Sequence, residues 1–516
     1  MELRSSTAKG TANKVWGYVP DRGERIVAPT IPSEVITPNN PPTGWGILGD
    51  IYSRGWQRTD NTNNFLSFFA TFAYSFKNRY VVNANVRNDA SNVFGQDINH
   101  RIDPTYSFGL SWRASEEAFF QKHLKWITTL NFRGTFGIQG NALTRESPEL
   151  ILSQQGVQPG YNRYFSTIGQ IPNPYLSWER TRNWNFGVDL ELFRMFYMNL
   201  EYYTRRSNAV ITVDLPFEYG IDDMKRNGGI IYNRGIEYTL SFTPIQKRDF
   251  SLNINLNASK NWNKGGETKI DRNTAMYLRG GSTQILKEGY PLSAFWSYSF
   301  AGLDGSNGKP MFNYVEVPDE EKSKSIDPTT YLVYSGETEP YFTGGLGFSF
   351  RYKSLSLNTS FSLLLGSKKR LPSPYSDFQG SGSMMPDPTK NVNRDLLNRW
   401  QKPGDEVYTN IPGLPTWPIE IGWTLPNTDS AESAIEMWEK SDAMVVSGSF
   451  LRCRNIGLSW QMKKEWCDKI HAKNLAINFN MDNIFVIASK RFNGFDPELE
   501  NSIMPRSFSL GLNIGF

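Results

Sequence analysis

Ser507-Phe508-Ser509-Leu510-Gly511-Leu512-Asn513-Ile514-Gly515-Phe516 alternates without interruption between large apolar and small or polar side chains, and it carries no charge. Successive side chains of a β-strand point to opposite faces. Phe508, Leu510, Leu512, Ile514 and Phe516 therefore share one face, and Ser507, Ser509, Gly511, Asn513 and Gly515 share the other. Such a strand suits lipid on one side and water on the other, although a half-buried soluble strand reads alike. Recurrence decides the class. The same period of two runs through Leu66/Phe68/Ala70/Phe72/Tyr74/Phe76, Tyr106/Phe108/Leu110/Trp112, Trp184/Phe186/Val188/Leu190/Leu192 and Leu346/Phe348/Phe350/Tyr352. In Phe250/Leu252/Ile254/Leu256/Ala258 the interleaved residues are Ser251, Asn253, Asn255 and Asn257, a face made for water.

Composition supports strands and excludes several function classes. A soluble chain of 516 residues would divide into roughly three domains of ~150 residues. No shift in composition marks such boundaries. No apolar run approaches the ~18 residues of a membrane helix. Aromatic residues make up 14% and there are 43 glycines, which suits many strands, many turns and interfacial aromatic belts. The 55 basic and 51 acidic residues are dispersed, so nothing points to nucleic acid. Cys453 and Cys467 make neither a metal cluster nor a disulfide framework. Met1 to Trp16 lacks the apolar core of a secretory signal.

Connection lengths give the topology. Very short links at Lys77 to Arg79, Arg194 to Phe196 and Lys353-Ser354 alternate with long ones such as Ile138 to Arg182 and Ser367 to Ser447. Short turns at one end and long loops at the other make the arrangement of an outer-membrane barrel. With Phe516 and all short turns on one side, an even number of strands must lie between Trp262 and Tyr341. A weak hairpin is expected there, with strands near Ala275 to Lys287 and Ala294 to Leu303, giving about 15 strands. An odd number does not close a single-chain bacterial barrel. The apolar register slips between Phe450 and Trp460, so a β-bulge is expected near Arg454 or Asn455, with Arg452 and Arg454 at the outer interface.

Seven stretches in order resemble the SusC/RagA-like TonB-dependent transporters of the Bacteroidota. Three of them are Arg87-Asn-Asp89-Ala-Ser-Asn-Val-Phe94-Gly95, Trp112-Arg-Ala-Ser115-Glu116-Glu117-Ala-Phe119 and Arg133-Gly-Thr-Phe-Gly137-Ile-Gln-Gly140-Asn141. The others are Leu176-Ser-Trp178-Glu179, Asn233-Arg-Gly235-Ile-Glu237, Arg399-Trp400-Gln-Lys-Pro403-Gly404-Asp405 and Phe492-Asn-Gly494-Phe495-Asp496-Pro497-Glu498. The resemblance implies an all-β transmembrane barrel of about 22 antiparallel strands. Residues 65–516 would supply its C-terminal part, and residues 1–64 an extracellular loop region leading to the first complete strand. The plug and the TonB-contacting segment are expected to lie outside this sequence. The chain then reads as a truncated gene product, a split chain or one subunit, needing a partner with about seven strands to close. The implied function is import of oligosaccharides or peptides across the outer membrane. The implied partners are a SusD-like surface lipoprotein, outer-membrane lipid and the TonB complex, reached through the missing N-terminal portion. As the terminal aromatic, Phe516 resembles the signal read by the barrel-insertion machinery.

No catalytic constellation emerges, so no enzyme activity and no cofactor are expected. His100, His123 and His471 lack metal-ligand spacing. Asp304-Gly-Ser-Asn-Gly308 reads as a turn rather than a calcium loop, and Asp496-Pro497-Glu498 as a loop-stabilising motif rather than a carboxylate pair for glycoside cleavage. The long loops are rich in aromatics, Tyr408 and Trp438 among them. Tyr161, Tyr164, Trp178, Trp400, Trp417 and Trp423 are the candidates for stacking on sugar rings or peptide side chains. The alternative is a soluble β-rich glycan-binding protein or glycoside hydrolase. Nearly charge-free apolar faces favour the barrel.

Overall fold

The computed structural model describes residues 2–14, 57–91, 102–141, 150–158, 163–215, 217–221, 223–267, 275–280, 286–313, 328–375, 391–414, 421–423, 432–499 and 502–516. Fourteen strands form one antiparallel sheet in which each is hydrogen-bonded to the next in the chain. They are β1 (Glu2–Lys14), β2 (Gln57–Phe76), β3 (Tyr80–Ser91), β4 (Ile102–Arg113), β5 (Ile127–Asn141), β6 (Glu179–Leu192) and β7 (Phe196–Asp214). The series continues with β8 (Asp223–Gln246), β9 (Phe250–Gly265), β10 (Phe342–Tyr352), β11 (Leu355–Leu365), β12 (Phe450–Gln461), β13 (Asn474–Ala488) and β14 (Ser507–Gly515). The sequence pattern placed no strand before Leu66, yet β1 pairs along β2 from Glu2↔Phe69 to Lys14↔Gln57.

Alternation sets the two faces as expected. Phe508, Leu510 and Leu512 on β14, and Phe516 just after it, are each at least 60% exposed, and Leu512 lies opposite Ile477 while Asn513 lies opposite Ala476. The opposite face of the sheet is bound by side-chain hydrogen bonds and ion pairs. Arg133 Nη2 lies 3.2 Å from Asp189 and 2.9 Å from Glu201, and Asn253 donates to Thr243 Oγ1 at 2.8 Å. The tight links are hairpins. Lys77 and Asn78 have φ of 50° and 57°, and Phe193 and Arg194 of 53° and 56°, which matches the twist of the flanking strands.

The expected hairpin between Trp262 and Tyr341 is not in this sheet. β9 pairs directly with β10, from Phe250↔Tyr352 to Lys260↔Phe342. Zero strands between them also satisfies the parity argument. Ala275–Leu278 is a single helical turn, and Ala294–Tyr298 pairs with Leu332–Glu337 in a separate two-stranded sheet. The physical reason is burial. Every residue from Ala294 to Tyr298 is at most 3% exposed, so both faces of that strand meet protein, and none of it is left for lipid.

The bulge falls where expected. Ser360 pairs with Asn455 and Phe361 with Cys453, leaving Arg454 as the extra residue of β12. Its consequence differs from the expectation. Instead of standing at the outer interface, Arg452 is 2% exposed, with Nη2 2.6 Å and 2.7 Å from the two oxygens of Asp496. Its Nε lies 2.8 Å from Glu498 Oε2, and Arg454 Nη2 donates to Glu498 Oε1 at 2.9 Å. The bulge turns both guanidiniums to the polar face, where the two acids after β13 neutralise them. Asp496-Pro497-Glu498 thus stabilises its loop, as the sequence suggested.

Candidate substrate-binding site on the long-loop side

A strand needs only about 9–11 residues to cross the hydrocarbon layer. β8 has 24 and β7 has 19, so the sheet stands well above it at the long-loop end. The segments after β9 and β11 fold there into one packed body. One core joins Leu278, Ala294, Trp296, Tyr298, Leu332 and Met437, and a second joins Tyr375, Leu396, Trp438 and Met444. Lys368–Arg370 pairs with Val445–Ser447, which stitches the two ends of the long segment between β11 and β12. Arg370 is held by the carbonyls of Arg279 and Trp296 and by Ser297 Oγ, with its guanidinium 4.9 Å from the centre of the Phe295 ring. Burial, with Arg279 beside it, brings the pKa of Arg370 down to about 10.

Local turn chemistry shapes the body. Asp304 Oδ1 accepts from the backbone N–H and the hydroxyl of Ser306, and the Gly308 N–H donates to Asp304 O at 2.7 Å. The two bonds from Ser306 hold the Asp304 carboxyl below its ordinary range, and the segment is a turn, as read from the sequence. Gly308, at φ 72°, passes under the Trp400 ring, where a Cβ would collide with it. Asp405 Oδ2 accepts from the backbone N–H groups of Gln401 and Lys402, and Glu406 Oε2 accepts from Gly404 N and Trp400 Nε1.

A pocket of ≈ 260 Å³ opens where this body meets the segment after β13. Leu371, Pro374, Ile411, Met444, Phe492 and Phe495 give it apolar walls, while Asp395, Thr409, Asn410 and Arg491 supply polar atoms. Arg491 is fixed by donating to the carbonyls of Val445 and Ala443, and Asn493 Nδ2 donates to Asp395 Oδ1. Tyr408, 89% exposed, stands among its lining residues. Its volume lies below the range for drug-sized ligands, so it fits one ring or one side chain rather than a whole oligomer.

Of the six sequence candidates, the two whose side chains are described, Trp178 and Trp400, do not line this pocket. Trp178 is 7% exposed and its segment is docked on β8, with Asn227 bonding both the N–H and the carbonyl of Ser177. Trp400 is half-buried over Gly308 and Gly413. Tyr161 and Trp417 lie outside the described residues. Tyr164 and Trp423 sit in the short strands Arg163–Gln170 and Ile421–Trp423, described by their backbone alone. Sequence reading missed Arg491, and it quoted Phe492 and Phe495 only as part of a motif and not as site residues, because nothing local shows that the segment after β13 meets residues about 100 positions earlier. Of the three histidines, His123 and His471 stand in short connections, and His100 is outside the described residues. Among the described residues no group of three His, Cys, Asp or Glu could hold a metal.

The model of the TonB-dependent receptor-like β-barrel family matches residues 29–361. The chain belongs to that family. A receptor barrel has short periplasmic turns, longer extracellular loops and a polar interior. The folded body and its pocket are thus on the extracellular side of the outer membrane, and Arg133, Arg452 and Arg454 face the lumen. The chain is 23% identical over 502 residues to TonB-dependent receptor P3 of Formosa agariphila, covering 88% of this chain and 46% of the relative. It is 25% identical over 486 residues to TonB-dependent receptor SusC of Bacteroides thetaiotaomicron, covering 88% and 44%. The RagAB peptide transporter has the same fold, with a TM-score of 0.67 at 22% identity, covering 89% of this chain and 48% of that one. The chain spans about half the length of the curated relatives it matches. The family is one of transporters rather than enzymes, which sets aside the soluble hydrolase reading.

The loop body depends on Trp438, which is 1% exposed, donates Nε1–H to Asn410 O at 2.8 Å and meets the Tyr375 ring edge-on at 6.2 Å. Trp438→Ala is expected to destabilise that body by about 3–5 kcal/mol. Limited proteolysis should then cut between 371 and 449 while the barrel keeps its heat-modifiable mobility on gels.

Proposed function

We propose that this sheet and its loop body are part of an energised outer-membrane importer for oligosaccharides or peptides. It would work beneath a SusD-like surface lipoprotein and draw on the TonB complex. Backbone groups along the outer edges of β1 and β14 need partners in hydrocarbon, so the transporting unit is a closed barrel that includes this sheet. The observation that carries the reading is the extracellular body itself. Two long segments share an aromatic core and hold an apolar pocket with fixed polar atoms at the mouth of a polar lumen. A pocket for one ring or side chain, held open on a rigid scaffold, suits the capture of one unit of a linear oligomer.

The test uses a native strain lacking the coding sequence, grown on panels of defined oligosaccharides and peptides. Loss of growth on one class, restored by the wild-type gene and abolished by a protonophore in an uptake assay, is the expected result. Asn410→Trp, which puts a bulky ring at the pocket without removing a buried contact, should raise the half-saturating substrate concentration about tenfold, or about 1.4 kcal/mol. Unchanged growth on every glycan and peptide after deletion would overturn the proposal.

A further inference from the structure

The six links on the short side, residues 77–79, 114–126, 193–195, 247–249, 353–354 and 462–473, hold twelve Lys and Arg against five Asp and Glu. That is a side-chain charge of +7 in 36 residues, whereas the whole chain carries +4, so the remaining 480 residues carry −3. The positive charge is concentrated on the periplasmic rim.

Aromatic side chains are interleaved with it. Phe119 (54% exposed), Trp126 (45%), Phe193 (64%) and Trp466 (48%) all belong to these links. Lys77 Nζ lies 5.3 Å from the centre of the Phe76 ring, and Lys353 Nζ 5.4 Å from that of Tyr352. Phe76 and Tyr352 stand on the lipid-facing side of β2 and β10, so both ammonium groups lean over the apolar face. Among the described residues no carboxylate pairs with Lys77, Arg194 or Lys353, in contrast to Arg79, which is bound to Glu117 at 3.0 Å. These three also have φ between 50° and 56°, where glycine or asparagine is favoured. A long cationic side chain at such a position carries a conformational cost, and within the hairpins Lys77 and Lys353 gain only the neighbouring ring.

We propose that this rim is a docking surface for the headgroups of anionic phospholipid in the periplasmic leaflet. The basic side chains would hold the phosphates and the exposed rings would sit at the glycerol level. Both parts of the surface have the geometry for it: two ammonium groups reach outward over lipid-facing rings, and the carboxylates of the rim leave most of its positive charge unbalanced. A basic side chain near an anionic surface favours binding about fivefold.

The test uses the purified protein in vesicles of phosphatidylethanolamine with either brominated phosphatidylglycerol or brominated phosphatidylethanolamine. Quenching of the rim tryptophans, Trp112, Trp126, Trp460 and Trp466, reports which lipid lies beside them. Half-maximal quenching is expected at a roughly fivefold lower fraction of phosphatidylglycerol. The combined variant Lys77→Gln, Arg194→Gln, Lys353→Gln should remove most of that preference, while Lys309→Gln on the extracellular side should leave it intact. Salt at about 1 M, with a Debye length of about 3 Å, should remove it from the wild type without any substitution, so a variant that fails to fold leaves the proposal testable. Equal quenching by the two lipids in the wild type, or a preference that survives high salt, overturns it; the latter result would place the selectivity in something other than the charged rim.

Discussion

Asp496→Ala should lower the unfolding free energy of the barrel by about 3–5 kcal/mol, the cost of leaving a buried charge without its partner. Arg452 is 2% exposed and Asp496 5%, and the carboxylate takes one guanidinium nitrogen through both oxygens at 2.6 Å and 2.7 Å. Glu498 alone cannot replace it, because its Oε1 is already bound to Arg454 and its Oε2 approaches Arg452 Nε without hydrogen-bond alignment. The paired change Arg452→Met with Asp496→Leu should recover most of the loss, since two apolar side chains of similar volume leave no uncompensated charge. Urea titration of the heat-modifiable band in detergent measures both. A single variant as stable as the wild type would show that the ion pair does not anchor the loop after β13.

Leu512→Arg should cost about 2–4 kcal/mol if position 512 lies near the bilayer midplane, and less toward either interface. Asn513→Arg, one residue away, should be much milder. The reason is facing: Leu512 is 60% exposed beside Ile477 on the lipid side, while Asn513 points with Ala476 to the lumen, where water can solvate a guanidinium. Folding yield into vesicles, read against urea, gives both values. Equal losses at the two positions would mean that β14 is not held in this register.

The period of two was sufficient to place the strands from β2 to β14, to assign their faces and to locate the bulge at Arg454. These are local properties, since alternation follows from backbone geometry and a register slip is visible in the residues themselves. The order of short and long links likewise gave the direction of each strand. The candidate site was far less legible. Of the six aromatic candidates, Trp178 and Trp400 hold loops in place, and the pocket includes residues that no local pattern marked, such as Leu371, Asn410 and Arg491.

An apolar face in sequence says only that its neighbour is dry. Lipid and protein core both meet that description, so Ala294 to Leu303 read as a barrel strand although Ala294–Tyr298 is enclosed by protein on both faces. Arg452 and Arg454 read as interfacial for the same reason, because the acids that neutralise them come from beyond β13. The sequence by itself determined the strands from β2 to β14, their order and their two faces, but neither β1 nor the absence of a hairpin between β9 and β10. Only the tertiary structure decided what each face meets, because burial and charge pairing are set by residues distant in the chain.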